Sequence, residues 1–112
     1  MFSKEESKDI KKILKSYIPL SKKVAAHYIS VGKSIGLDKK KLEEASFSGA
    51  IYGYVVHSRK KSEKGRVKYK LSAYLTWWMR RFIHKEIAKR IIEIGKKNPA
   101  KAENILLEFL EG

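Results

Sequence analysis

The sequence predicts an all-α protein, a compact helical bundle of about four to five helices. Three observations carry this. Apolar residues recur at spacings of three and four along most of the chain, the period of a helix with one inward face. The alternation of a half-buried strand is not sustained anywhere. The two prolines and most of the seven glycines fall between the periodic segments rather than within them.

The elements follow in order. Ile10, Ile13, Leu14, Tyr17 and Ile18 give residues 4–18 an amphipathic helical pattern, which Pro19 should end or kink because it lacks an amide hydrogen and crowds the preceding turn. Ser21 is placed to cap a second helix through about Ile35, with Leu20, Val24, Tyr28, Val31 and Ile35 inward and Gly36 as its stop. Asp38 can cap a third helix over about 39–57, which would bury Leu42, Phe47, Ala50, Ile51, Tyr54 and Val55. The polar stretch 58–68, SRKKSEKGRVK, reads as a basic loop. A long helix then runs from about Tyr69 or Ser72 to Ile94 and ends at Gly95. Asn98-Pro99 opens a short last helix containing Ile105, Leu106, Phe109 and Leu110. Residues 1–95 are thus expected to form one domain, with 96–112 as a short C-terminal helix.

Charge narrows the class of function. The 112 residues hold 26 Lys+Arg against 12 Asp+Glu, a net charge of +14. Residues 59–90 hold twelve basic side chains against Glu63 and Glu86, a net +10 in 32 residues, while 1–58 carry +5 and 91–112 carry −1. Charge concentrated in this way is the footprint of a polyanion-binding surface. No cysteine is present, which excludes a disulfide framework and thiolate zinc sites. No apolar run approaches a membrane span, and the start, MFSKEESKDIKK, is polar. The expectation is a small, soluble, cytoplasmic domain with no membrane partner.

On the long helix, about 100° per residue places Leu71, Leu75, Trp78 and Phe82 on one face, predicting that this stripe is core. Lys70, Trp77, Arg81 and His84 share another face, flanked by Tyr74 and Arg80. Cations interleaved with flat rings suit unstacked nucleic acid: the cations follow phosphates, and each stacked base contributes roughly 1–3 kcal/mol. Packing of Trp77 against another helix or the basic loop is the competing reading of the same periodicity.

The segment KYKLSAYLTWWMRRFIHKEI, residues 68–87, closely resembles region 2 of bacterial sigma factors of the sigma-70 family. That stretch typically runs Tyr-Lys-Phe-Ser-Thr-Tyr-Ala-Thr-Trp-Trp-Ile-Arg-Gln-Ala-Ile. The matches are Tyr69, Lys70, Ser72, Tyr74, Thr76, Trp77, Trp78, Arg80 and Ile83. LSKKVAAHY (20–28) and LDKKKLEEASFSGAIYGYV (37–55) resemble the preceding helices more loosely, so the resemblance covers about residues 10–95.

The resemblance implies a sigma region 2-like fold, no cofactor, and two partners. The helix before the basic loop would dock on the clamp helices of the largest subunit of the RNA polymerase core, with Leu42, Glu43, Glu44, Phe47 and Ile51 as contacts. The helix after it would recognise and melt a promoter −10-like element and hold the non-template single strand. For that role it implies Arg66, Lys68, Tyr69, Lys70, Tyr74, Trp77, Trp78, Arg80, Arg81, His84 and Lys85. Extruding a base costs a few kcal/mol of unstacking, which a pocket and a stacking ring offset.

The sequence also departs from the family. Leu71 and Ala73 replace its Phe and Thr, and Arg81 and His84 align with its Gln and Thr, where Arg favours guanine and Gln adenine. The docking motif Asp-Leu-Ile-Gln-Glu-Gly aligns with Lys41-Leu42-Glu43-Glu44-Ala45-Ser46, keeping only part of its acidic pattern. Residues 96–112 are too short for the helix-turn-helix domain that reads the −35 element. A minimal or split sigma is therefore expected, alone or with a separate −35-reading subunit; an excised piece of a longer protein is the other reading.

Catalysis is not expected. His27, His57 and His84 lie 30 and 27 residues apart with no matching carboxylate cluster, which gives no same-helix metal pair. His27 should sit beside the core and His57 at a helix end. Gly49 and Gly53, inside a helix, fit close packing better than a phosphate loop. Two other functions suit the same residues: a regulator that binds polymerase or a sigma partner and blocks transcription, and a generic basic RNA-binding helical protein.

Overall fold

The computed structural model describes the backbone of residues 4–64 and 70–111, and within them the side chains of 8, 10–58 and 70–111. Six helices are present among the described residues: α1 Lys4–Ser16, α2 Ile18–Ala26, α3 Ile29–Ile35, α4 Lys39–Lys64, α5 Leu71–Lys97 and α6 Pro99–Glu111. No strand occurs among them, and the all-α expectation holds.

Helix ends show which local signals decided the chain's course. Gly36 ends α3 with φ 78°, the left-handed conformation that costs glycine little. The Asp38 carboxylate accepts from the Lys41 amide at 2.8 Å, and the Asn98 side-chain oxygen accepts from the Lys101 amide at 3.2 Å; each satisfies an orphan donor of its helix. Pro19 does not end α1. It occupies the first turn of α2, where its missing N–H has no partner to lose. Ser21 is not a cap but a buried residue inside α2, its hydroxyl donating to the Tyr17 carbonyl at 3.0 Å.

The expected single helix over 21–35 is two. At its junction the His27 and Tyr28 amides donate to carbonyls three residues back, Val24 and Ala25, a tightening typical of a helix end. The break turns the Tyr28 hydroxyl to within 2.9 Å of His84 Nε2 on α5 and leaves His27 exposed rather than beside the core. The third helix continues beyond residue 57, so residues 58–64 of the expected loop are helical and His57 lies within α4. No Gly or Pro interrupts SRKKSEK, which explains the continuation. The rest of that loop, 65–68, lies outside the described residues. Likewise α5 runs through Gly95 to Lys97. At Gly95 the missing side chain lets α6 approach, since a Cβ there would lie 3.3 Å from Ala102.

The core stripe of α5 differs from the expected one. Leu75, Met79, Ile83 and Ile87 are fully buried and Ile91 nearly so, whereas Leu71, Trp78 and Phe82 are only partly covered. A helix packed on one side shows one fixed face; α5 packs against α2, α3, α4 and α6, so burial follows an i+4 ridge winding across its surface. The core unites these residues with Val24, Ile35, Leu37, Leu42 and Ala50, and Ala102 and Ile105 of α6 join it.

At the α4–α5 seam, glycines let the two helices approach closely. A Cβ on Gly49 would lie 2.8 Å from Met79 Cα and closer still to the Trp78 carbonyl oxygen, and one on Gly53 would meet the Trp78 ring at 2.8 Å. Beside this seam the Ser46 hydroxyl donates to the Ser21 carbonyl at 2.9 Å, tying α4 to α2. Gly49→Ala should raise helix propensity by about 1 kcal/mol yet lower net stability by about 1–3 kcal/mol through overpacking; urea unfolding followed by circular dichroism measures the sign.

Candidate nucleic-acid interface

The site is built on the first four turns of α5. Lys70 precedes the helix in extended conformation, and the first turn carries no acidic residue, which leaves the positive end of the helix dipole open to an anion. Four residues on, Tyr74 packs near Trp78 and against His57 of α4, with ring centroids 5.7 Å apart in the latter pair. Trp77 is 52% exposed. Its ring stands perpendicular to Trp78 at 4.8 Å, and the Arg81 guanidinium lies over it, 5.0 Å from the centroid, a cation–π contact that fixes the indole's orientation.

Trp78 has the opposite role. Tyr52 meets its ring at 4.5 Å, Phe82 lies beyond at 6.3 Å, and Gly53 sits beneath it. Its Nε1 is buried with no hydrogen-bond partner. Adjacent tryptophans are thus divided into one that packs α5 to α4 and one that is half exposed, the first of the two readings that the helical period left open for Trp77.

Next to Trp77 a shallow depression is lined by Leu20 of α2 and by Ser72, Ala73, Thr76, Trp77 and Arg80. Its floor is small or apolar and its edge holds an indole and a guanidinium. The chemistry of such a depression suits a flat heteroaromatic ring beside a phosphate. Leu20 is a site residue that sequence reasoning missed, because only the packing of α2 brings it there.

Charge around the depression is unbalanced. Among the described residues the ion pairs are Lys89–Glu86 and Arg90–Glu93. Lys70, Arg80, Arg81 and Lys85 are exposed with no carboxylate opposite among the described residues. Arg90, which the charge count placed with the polyanion-binding set, caps α3 instead: Nε donates to the Ile35 carbonyl at 2.9 Å and a terminal nitrogen to that of Gly36 at 3.4 Å.

His84 is also held by the fold. Besides its hydrogen bond to Tyr28, its ring meets Phe109 of α6 edge-on at 5.3 Å. Desolvation, and then the neighbouring Arg80, lower its pKa from the ordinary 6.5; desolvation also raises that of Tyr28, against an opposing effect of Arg80. Arg66, Lys68 and Tyr69 lie outside the described residues, so the structure brings together Lys70, Tyr74, Trp77, Trp78, Arg80 and Arg81, with Lys85 a turn further along.

The residues expected to contact polymerase separate. Leu42 is 1% exposed and packs in the core, where its methyl fills the space that a Gly32 side chain would need; it has no surface to give a partner, and that expectation is corrected. Glu44 is exposed and Glu43 half-buried, with one carboxylate oxygen shielded and unpaired. Phe47 and Ile51, expected in the core of α4, are partly exposed. With Leu14 and Ile18 they line an apolar groove between α1 and α4, edged by Lys8, Lys11, Lys12 and Lys15. No group of three or more potential metal ligands occurs among the described residues, and no helix there is long and apolar enough to cross a membrane.

Comparison with models of protein families, with characterised proteins and with solved structures gives no match.

Two outcomes follow from this geometry. Trp78→Ala should cost about 3 kcal/mol of stability, and Trp77→Ala less than about 1 kcal/mol; denaturant midpoints compare them. Because the His84 pKa is lowered on folding, the unfolded chain binds more protons as pH falls below 6.5. Its stabilising contribution is complete above that value and is lost as pH falls through the folded-state pKa. His84→Gln should therefore flatten the dependence of the urea midpoint on pH between about pH 7.5 and 5.

Proposed function

We propose that the chain is a sigma factor-like transcription initiation subunit, without catalytic activity of its own, that binds a bacterial-type RNA polymerase core and opens a −10-like promoter element in the cytoplasm. The observation that carries the reading is Trp77, half exposed and steadied by Arg81 beside the depression edged by Arg80. It lies in the segment that resembles sigma region 2. In this reading Trp77 stacks on the base at the upstream edge of the opened strand and the depression receives an extruded base. Lys70, Arg80 and Lys85 follow the phosphates, so binding weakens steeply with salt. Trp78 supports the fold beneath them.

Arg81 and His84 replace family residues that contact the upstream base pair. Arg81 is engaged with Trp77, and His84 with Tyr28 and Phe109. Their part is to set the aromatic platform rather than to read that pair. Glu44, Phe47 and Ile51 supply the polymerase-facing surface, with the exposed part of Glu43. A −35-reading unit, on a separate subunit or elsewhere in a longer chain, is the further partner.

The test is reconstituted transcription with sigma-free core polymerase of the host, on a linear and a pre-opened −10 template. Initiation on either supports the proposal, and restriction to the pre-opened template points to the missing partner. Co-elution with polymerase without transcript supports the blocking regulator, and neither binding nor transcript supports the generic RNA-binding protein. Trp77→Ala should lower opening of the linear template at least tenfold while polymerase co-elution is unchanged; loss of both would place Trp77 in the docking surface instead.

A further inference from the structure

The last helix presents a face that the fold does not use. α6 packs inward through Ala102, Ile105 and the partly buried Phe109, while Leu106, Leu107 and Leu110 are 42%, 49% and 70% exposed. Leu106 and Leu110 are one turn apart, and Leu107 stands between Glu103 and Glu111 at i±4. From residue 102 to 111 the charged side chains are Glu103, Glu108 and Glu111, with no Lys or Arg. In a chain of net charge +14 this is an acidic, leucine-bearing helix. An exposed apolar stripe of this kind marks an interaction surface.

The groove between α1 and α4 is its complement. Phe47, Ile51 and Ile18 form an apolar floor, and the four lysines of α1 edge it without a carboxylate partner among the described residues. The lengths agree: Lys8 to Lys15 spans about 11 Å and Glu103 to Glu111 about 12 Å at the helical rise. Because α6 is docked on α5 of its own chain through the opposite face, an α6 seated in this groove would belong to a second molecule.

We propose that the chain, when no other partner covers Phe47 and Ile51, self-associates by seating the Leu106–Leu107–Leu110 face of α6 in the lysine-edged groove between α1 and α4 of a second copy. The surfaces differ, so the contact either closes as a reciprocal, isologous pair or, used head-to-tail, closes as a ring or continues as a chain of copies. One helix in one groove is small for an interface, which sets the association in the weak, concentration-dependent class. The net charge opposes it over long range, but at about 0.15 M salt the screening length is about 8 Å, short enough to leave the contact pairs dominant.

Sedimentation equilibrium of the full chain at that salt, from low to several hundred micromolar, is the test. The wild type should rise in mean mass above the 12.9 kDa monomer. Two double variants on exposed positions, K11E/K15E and E103K/E111K, should each associate at least tenfold more weakly, because groove and helix then carry like charge. Mixing the two should restore association, since each variant's groove then meets a helix of opposite sign. L107A/L110A should weaken association with the helical circular dichroism unchanged. A monomer at every concentration, association unaffected by the α6 substitutions, or a mixture no stronger than either variant alone would overturn the proposal.

Discussion

The structure depends on two helices touching backbone to backbone. At Gly49 and Gly53 the α4 surface lacks side chains, and the Trp78–Met79 stretch of α5 lies directly in that space. Helices commonly pack about 8–10 Å apart, with the distance set by the residues between them; here the glycines bring α5 to the short end of what side chains permit. The core follows from that approach. Leu75, Met79 and Ile83 reach full burial along it, and the Ser46 hydroxyl comes within bonding distance of the Ser21 carbonyl on α2. Glycine inside a helix costs about 1 kcal/mol relative to alanine, so two of them in one helix mark contacts worth more than that cost.

The same contact orients the candidate site. Trp78 faces α4 because Gly53 leaves room beneath its ring and Tyr52 closes over it. With Trp78 turned inward, the 100° step of the helix sends Trp77 outward, where Arg81 meets it from the next turn. One tryptophan is therefore structural and its neighbour available for binding, and that division follows from packing several residues away on another helix. Among the described residues no acid faces the cations of the site: Glu86 and Glu93 pair with Lys89 and Arg90 further along α5, and the other described acids lie near the start of α4 and on α6.

What could be read from the sequence was local chemistry. Gly36, Asp38 and Asn98 marked helix boundaries because their backbone or side-chain properties act within three residues. The close-packing role of Gly49 and Gly53 was also legible, because two side-chain-free positions four residues apart leave a strip of bare backbone on one face whichever helix meets it. The exposure of Trp77 was one of two readings that periodicity allowed. Features set by tertiary neighbours were not legible. The stripe of α5 was misplaced because periodicity assumes one buried side, and α5 is enclosed by four helices. Arg90 and His84 read as members of a cationic face, yet both are taken up by elements more than twenty residues away in sequence, at Ile35, Tyr28 and Phe109. The break at His27–Tyr28 falls where no Gly or Pro announces it.

The glycine seam also acts as a keyed joint. Where side chains separate two helices, rotamer changes let one slide against the other by fractions of a turn. At Gly49 the object in the notch is the Trp78 main-chain carbonyl, with Met79 Cα beside it, and neither has a rotamer to change. Moving α4 along α5 would carry Ser46 or Ala50 onto that carbonyl, so the axial register of the two longest helices is fixed. A push on the outer surface of α4 is passed to α5 as motion of a single stiff body, and the tryptophan at its edge moves with it.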